Sequence, residues 1–93
     1  MRDYELIVIV HPDQDETQFN ALIEKIKGWI KEAGGTTAEP EVWGKRQMAY
    51  EIKKEREGNY VLLKINMPPT FSKELERNLG FQESVMRFLI TSK

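Results

Sequence analysis

Apolar and polar residues alternate along the middle of the chain, in the stretch from Val42 to Met67. A period of two residues is the pattern of a strand that buries one of its faces. The alternating apolar positions are Met48, Tyr50, Ile52, Val61, Leu63, Ile65 and Met67. The polar run 53–59 between the two sets contains Gly58 and is typical of a hairpin connection. This pattern predicts two strands, 36–52 and 59–67, joined by a charged turn.

Two more strands are predicted at the ends of the chain, at Arg2–Val10 and at 84–91. The first carries apolar residues on both faces, which is typical of a central strand. The strand 36–52 contains Pro40, which has no N–H for a sheet ladder and therefore favours an edge position. Gly44 in the same strand indicates a bulge or a bend.

A helical pattern follows the first strand. Asp15 is its predicted N-cap, since Gln18 three residues later completes a capping box. Apolar residues then recur at spacings of three and four, as on a helix that packs against a core. They are Phe19, Leu22, Ile23, Ile26, Ile30 and Ala33. Gly34 and Gly35 are predicted to end this helix, with a glycine in the left-handed conformation.

A second, shorter helix is predicted after the two prolines at 68 and 69. Thr70 or Ser72 would cap it and Gly80 would close it. Its apolar face consists of Phe71, Leu75 and Leu79.

The predicted order of elements is strand, helix, strand, strand, helix, strand. With right-handed crossovers, this order gives an α+β, ferredoxin-like β-α-β-β-α-β fold, a four-stranded antiparallel sheet with two helices on one face. The first and third strands are then central and the other two are edges, in agreement with Pro40. The 93 residues suffice for a single domain, residues 1–93.

The sheet face without helices, which we call the open face, also carries apolar residues. If Leu6 and Leu63 face the helices, the residues of opposite parity face outward. The apolar ones are Ile7, Ile9, Tyr60, Leu62, Val85 and Leu89. Contiguous exposed apolar side chains usually mark a partner surface. We predict one that consists of Ile7, Ile9, Tyr60, Leu62 and Leu89; the alternative is that long lysine and arginine stems cover this face.

The charge is nearly balanced overall but unevenly distributed. The formal net charge is −1, yet residues 11–24 hold four acids and no lysine or arginine, and residues 42–56 hold five lysines and arginines against two acids. This asymmetry is compatible with a basic edge that binds nucleic acid, and also with a solvated turn of mixed charge. The predicted third strand has one aromatic residue, Tyr60, so the stacking platform of RNA-recognition motifs is missing. Contacts with RNA are expected to run through phosphates.

Catalytic chemistry finds little support in the sequence. The chain has no cysteine, which excludes thiolate sites, and its one histidine, His11, is expected to be an ordinary loop residue. Without a Ser/His/Asp set, a metal-ligand cluster or a glycine-rich phosphate loop, we predict no enzyme activity, metal, cofactor or small-molecule substrate. The longest uncharged apolar run, Leu6–Val10, is too short to span a membrane, and no signal segment precedes it. A soluble, intracellular protein is expected.

Three segments resemble one protein family: MRDYELIVIVHPD, WGKRQMAYEIKKEREGNYVLLKINMP and ESVMRFLITSK. They contain RxYE, a G-x-R-x-[ML]-A-Y-x-I strand, a glycine and then an aromatic residue before the third strand, and MP before the second helix. Together they resemble the sixth protein of the bacterial small ribosomal subunit over essentially the whole chain. The resemblance implies a non-enzymatic, ferredoxin-like protein of the cytoplasmic ribosome. It also implies binding to the central domain of small-subunit (16S) ribosomal RNA, as a heterodimer with the eighteenth small-subunit protein.

The resemblance also suggests which residues bind RNA phosphates. They are Arg2, Lys45, Arg46, Lys64 and Arg87. Tyr4 and Tyr50 also match the motifs and are expected to be structural. Position 47 is Gln where a second basic residue is common, so the basic edge is expected to be weaker here. The chain ends at Lys93, whereas many relatives have a longer C-terminal tail, and contacts made by such a tail are expected to be absent.

The nearly neutral net charge predicts that the isolated chain binds RNA weakly and gains affinity after pairing with its protein partner. The alternative interpretation is a ferredoxin-like regulatory or small-ligand module that homodimerises through its open face. A glycine-rich pocket loop would favour that alternative, and the sequence shows none.

Overall fold

The structure is a computed structural model that describes residues 1–52 and 55–92. A 3-10 turn at Pro69–Phe71 leads into the second helix. The strands and helices are β1 Arg2–Val10, α1 Glu16–Glu32, β2 Thr36–Thr37, β3 Glu41–Ile52, β4 Glu55–Met67, α2 Ser72–Gly80 and β5 Val85–Ser92.

The strands form one antiparallel sheet with β1 and β4 at its centre. β1 pairs with β4 from Arg2 opposite Met67 to Val10 opposite Asn59. β5 pairs with the other side of β1, while β2 and β3 both pair with β4. The predicted central and edge strands are therefore confirmed. The predicted second strand is divided by residues 38–40, which include Pro40.

The strand after the polar run begins earlier than the sequence predicts. β4 begins at Glu55, so the interpretation of the run as a turn is wrong for residues 55–59; Lys53 and Lys54 lie outside the described residues. Gly58 is buried within β4. A Cβ atom at this position would fall against Cγ2 of Ile9 and 3.7 Å from Sδ of Met86. Gly58 therefore permits a close approach of side chains rather than a turn.

Both ends of α1 are as the sequence predicts. The Asp15 side chain accepts a hydrogen bond from the Gln18 N–H at 2.8 Å, and the Gln18 side chain accepts one from the Asp15 N–H at 3.1 Å. Gly34 has a φ of +87°, and its N–H donates to the Lys31 carbonyl at 3.0 Å. The Gly35 N–H donates to the Ile30 carbonyl at 2.8 Å. These two bonds form a Schellman motif, which satisfies carbonyls at the helix end.

The ends of α2 differ from the prediction. Neither Thr70 nor Ser72 caps the helix; the Ser72 hydroxyl instead donates to the Pro69 carbonyl at 3.0 Å. Prolines that precede the helix preset the backbone of the 3-10 turn, so a side-chain cap is not needed to start it. Gly80 is the last helical residue, but it does not adopt a positive φ.

The core lies between the helices and the sheet face that they cover. Its fully buried residues are Leu6, Val8, Val10, Ile26, Ile30, Val61, Leu63, Met67, Leu75 and Leu79. Val85 also belongs to this core, so its predicted position on the open face is wrong. The register of β5 shifts by one residue at Met86, and Val85 therefore pairs with Val10. Such a bulge reverses the parity of the residues before it.

Candidate functional site

The open face is organised in rows of residues that lie opposite one another on neighbouring strands. The strand register defines one row of Tyr60, Ile9 and Arg87, a second of Leu62, Ile7 and Leu89, and a third of Lys64, Glu5 and Thr91. The five residues predicted to form a partner surface thus lie together in the first two rows. We call them the apolar patch: Ile7, Ile9, Tyr60, Leu62 and Leu89.

The apolar patch is partly accessible. Leu89 is 55% exposed and Leu62 is 8% exposed, while Ile7, Ile9 and Tyr60 are half-buried. Next to the patch is a shallow cavity of about 230 Å³, lined by Ile7, Ile9, Arg87, Phe88 and Leu89. A partner side chain can therefore enter this surface as well as lie across it.

Aromatic and cationic side chains stack at one end of the apolar patch. The rings of Trp43 and Tyr60 are stacked, with centroids 6.3 Å apart and an interplanar angle of 13°. The guanidinium carbon of Arg46 lies 5.7 Å from the centroid of the Trp43 ring. The register of β3 shifts between Val42 and Gly44, and Gly44 has a φ of +82°. The bend predicted at Gly44 is confirmed, and it brings Trp43 beside Tyr60.

A second cation lies against a second aromatic ring at the same end. The Nη1 atom of Arg87 donates to the Tyr50 hydroxyl, and the Arg87 guanidinium carbon lies 6.0 Å from the centre of the Tyr50 ring. Tyr50 is on β3 and Arg87 on β5, which are opposite edges of the sheet. Met48 and Met86 are buried outside the main core. The far half of the β3–β4 hairpin therefore curls over this end of the open face.

The side chains at this end form a set of two contact groups, Trp43 with Tyr60 and Arg46, and Tyr50 with Arg87, whose contacts the sequence pattern did not reveal. We call this set the aromatic rim: Trp43, Arg46, Tyr50, Tyr60 and Arg87. Tyr4 is buried in the core, as a structural role requires, but Tyr50 is 58% exposed and contacts a cation. The sequence signals for the rim were Trp43 beside Gly44, where a bulge or a bend is predicted, and the resemblance that assigned Arg46 and Arg87 to RNA.

Two of the five cations that were predicted to bind RNA lie against aromatic rings at this end of the open face, Arg46 against Trp43 and Arg87 against Tyr50. Arg46 and Arg87 share the aromatic rim. Lys64 is on the open face, about 13 Å further along β4 from Tyr60, and lies opposite Glu5 in the strand register without forming an ion pair with it. The other two lie elsewhere: Lys45 is opposite Asn59, with the parity of the covered face, and Arg2 is opposite Met67. Arg2 is about 23 Å along β1 from the row of the rim.

The predicted cations are not neutralised by neighbouring acids. Within residues 1–52 and 55–92, none of the five has a carboxylate oxygen within 4.0 Å. This distance is the N–O separation in the longest ion pair among these residues, between Arg56 and Glu51. Other cations do have such a partner: Lys27 Nζ lies 3.6 Å from Glu24 Oε1, and Arg56 Nε lies 4.0 Å from Glu51 Oε2. The charges of the rim are therefore available to an external anion.

His11 has a structural environment. Its Nδ1 atom lies 2.7 Å from Oδ1 of Asp13, and its Nε2 atom lies 3.7 Å from Oε1 of Glu55. It joins the loop after β1 to the start of β4. Across the described part of the chain, no three acidic, histidine or cysteine side chains are grouped so as to hold a metal ion. None of the described helices is long and apolar enough to cross a membrane.

A ferredoxin-like sheet whose open face carries an apolar patch beside uncompensated cations defines a binding domain. Comparison with known proteins identifies its family. Residues 3–92 match the family model for ribosomal protein S6. The chain is 46% identical over 90 residues to small ribosomal subunit protein bS6 of Clostridium kluyveri, with 97% of this chain and 95% of the relative covered. It is 43% identical over 93 residues to bS6 of Clostridium perfringens, with 100% and 98% covered.

The fold comparison agrees with the sequence comparison. The crystal structure of 30S ribosomal protein S6 from Thermotoga maritima matches with a TM-score of 0.92 and 30% identity, over 99% of this chain and 87% of that chain. The chain belongs to the ribosomal protein S6 family. The predicted ferredoxin-like fold is confirmed. Membership makes the chain a structural, non-enzymatic constituent of the small subunit of the cytoplasmic ribosome.

Proposed function

We propose that this chain binds the central domain of small-subunit (16S) ribosomal RNA during subunit assembly, as a heterodimer with the eighteenth small-subunit protein. The protein partner binds the apolar patch. RNA phosphates are bound by the five predicted cations, Arg2, Lys45, Arg46, Lys64 and Arg87. The observation that carries the proposal is an accessible apolar patch that lies beside uncompensated cations.

The accessible apolar side chains support a protein partner. Leu89 is 55% exposed, whereas Leu6, Val8 and Leu63 on the covered face are fully buried. Removal of apolar surface from water is the main favourable contribution to most protein association. Aromatic residues and arginines at the margin of such a patch are also the residue types that are enriched in protein interfaces.

The distribution of charge supports RNA binding that depends on this partner. The net charge of the chain is −1, so only local cations favour contact with a polyanion. RNA affinity rises with the number of phosphates that a protein neutralises, because each one releases counterions. Five cations that are spread over both ends of the sheet supply few such contacts. A partner that carries cations beside the apolar patch would increase the number of phosphate contacts.

The proposal is tested by filter retention of a central-domain RNA fragment in a series of salt concentrations, with and without the eighteenth protein. We expect tight binding only when both proteins are present, and a steep loss of affinity as salt increases. Arg87→Ala should lower the affinity and reduce the salt slope by about one, since one phosphate contact is removed.

Lys73→Ala is the matched control. Lys73 is an exposed cation on α2, beyond the covered face of the sheet. Its removal changes the net charge as Arg87→Ala does, and it should leave RNA affinity unchanged. Equal RNA binding with and without the partner would contradict the heterodimer. Failure to bind RNA under both conditions, together with a concentration-dependent homodimer, would support the regulatory module instead.

A further inference from the structure

We infer that the aromatic rim is the part of the open face that holds RNA phosphates, and that Tyr50 and Trp43 position Arg87 and Arg46 for this contact. The inference rests on the proposed function and narrows it to a defined place. It also gives a role to two aromatic residues whose contacts with cations no sequence motif predicts.

Arg87 is held in place before any RNA arrives. One N–H of its guanidinium is donated to the Tyr50 hydroxyl, and the Tyr50 ring lies 6.0 Å from the guanidinium carbon. A guanidinium has five N–H donors in one plane, so most of them remain for a second acceptor. A long side chain normally loses conformational entropy when it binds, and restraint in the free protein reduces that loss.

Arg46 has a similar support from a different ring. Trp43 stacks on Tyr60, and Arg46 lies 5.7 Å from the centre of the Trp43 ring. Tyr60 is half-buried in β4, a central strand, so the stack rests on a fixed part of the sheet. A ring attracts a cation without neutralising it. Arg46 is therefore restrained and still carries its full charge.

The chemistry of the rim fits a phosphate. Within the described residues, neither Arg46 nor Arg87 has a carboxylate oxygen within 4.0 Å, so neither forms an ion pair as long as that of Arg56 with Glu51 or shorter. Planar guanidinium groups bind phosphate oxygens through two parallel hydrogen bonds, which gives arginine an advantage over lysine at such sites. The rim also borders the apolar patch, with Tyr60 common to both. RNA bound at the rim would thus lie next to the bound protein partner, which is consistent with RNA binding that requires that partner.

The test is a double-mutant cycle in the preformed complex with the eighteenth protein, with a central-domain RNA fragment as the probe. Tyr50→Leu should weaken RNA binding about threefold, as expected for one exposed cation–ring contact. The same substitution should have no further effect in an Arg87→Ala background, because Tyr50 acts through Arg87. Tyr50→Phe keeps the ring and should retain part of the affinity. A second cycle with Trp43→Leu and Arg46→Ala should behave in the same way.

Each other outcome overturns the inference in a distinguishable way. A loss that is equal with and without Arg87 would give Tyr50 a purely structural role. A loss of affinity for the protein partner, with unchanged RNA binding by the assembled complex, would assign the rim to the partner interface. RNA binding by the wild-type complex that no rim variant alters would overturn this inference but leave the proposed function intact. Absence of RNA binding by the wild-type complex would overturn both.

Discussion

The covered face and the open face of the sheet are built from alternate residues of the same strands. On β1, Leu6 and Val8 are fully buried beneath the helices, whereas Ile7 and Ile9 remain half-exposed on the open face. All four are aliphatic, so their chemistry does not distinguish the two faces. The difference is that two helices pack on one face and only the end of a hairpin reaches the other.

This comparison separates stability from binding. A residue on the covered face contributes to folding because its surroundings are closed within the chain itself. An apolar residue on the open face leaves surface that another molecule can cover. Substitutions at alternate positions of one strand should therefore affect different properties. Three predictions, from the largest expected effect to the smallest, test how far that separation extends.

The first prediction compares the effect on stability of truncating one leucine on the covered face and one leucine on the open face. Leu63 is fully buried and Leu89 is 55% exposed. Leu63→Ala should lower the free energy of unfolding by about 2–5 kcal/mol, since it leaves a cavity in the core. Leu89→Ala should change it by less than about 0.5 kcal/mol. Urea denaturation of the isolated chain measures both values.

The affinity for the eighteenth protein should show the reverse order. Leu89→Ala should weaken the heterodimer about tenfold, in line with the loss of a central interface contact. If Leu89→Ala destabilises the isolated chain as much as Leu63→Ala does, the two faces do not differ as we describe. Unchanged affinity for the partner would show that Leu89 does not contribute to the partner interface.

The covered face could be predicted from the sequence almost completely, whereas the aromatic rim could not. The boundaries of β1, the capping box of Asp15 and the left-handed Gly34 depend on residues close together in the chain, and all three predictions are confirmed. The contact between Tyr50 and Arg87 joins opposite edges of the sheet. It depends on the curvature of the hairpin, which no periodicity records.

The polar composition of the hairpin also led to a wrong prediction. The polar run before Asn59 has the composition of a turn, but its residues 55–58 are the first residues of β4. A strand that extends beyond its neighbour β1 has fewer packed contacts, so polar side chains are tolerated there. The alternation of residues in β5 did not indicate the bulge at Met86. Because of this bulge, Val85 lies on the covered face.

The second prediction concerns Gly58, an open-face position that should behave like the core. A Cβ atom there would fall against Ile9, so Gly58→Ala requires the sheet and the hairpin to shift. We expect the free energy of unfolding to fall by about 1–3 kcal/mol, as for other overpacked sites. Thermal and urea denaturation measure the loss. If it occurs, the sheet is closely packed beneath the hairpin at Gly58, next to the accessible apolar patch.

Gly28→Ala is the control for that experiment. Gly28 lies in α1, and a Cβ atom there has no neighbour within 4 Å. Alanine is favoured over glycine inside a helix, so this variant should be stabilised by about 0.5–1 kcal/mol. Two glycine-to-alanine substitutions with effects of opposite sign would attribute the loss at Gly58 to crowding. A stabilised Gly58→Ala variant would contradict the close packing at this end.

The third prediction concerns a substitution that destabilises α1, which packs on the covered face, and leaves the open face unchanged. Asp15→Ala removes the acceptor of the hydrogen bond from the Gln18 N–H at 2.8 Å, and it should lower the free energy of unfolding by about 1 kcal/mol. Asp15→Asn keeps an acceptor oxygen and should retain most of the stability. Affinity for the eighteenth protein, measured at a temperature where both variants are folded, should match that of the wild type. If Asp15→Ala weakens the heterodimer as well, the stability of α1 affects partner binding on the other side of the sheet. The covered and open faces would then be energetically coupled.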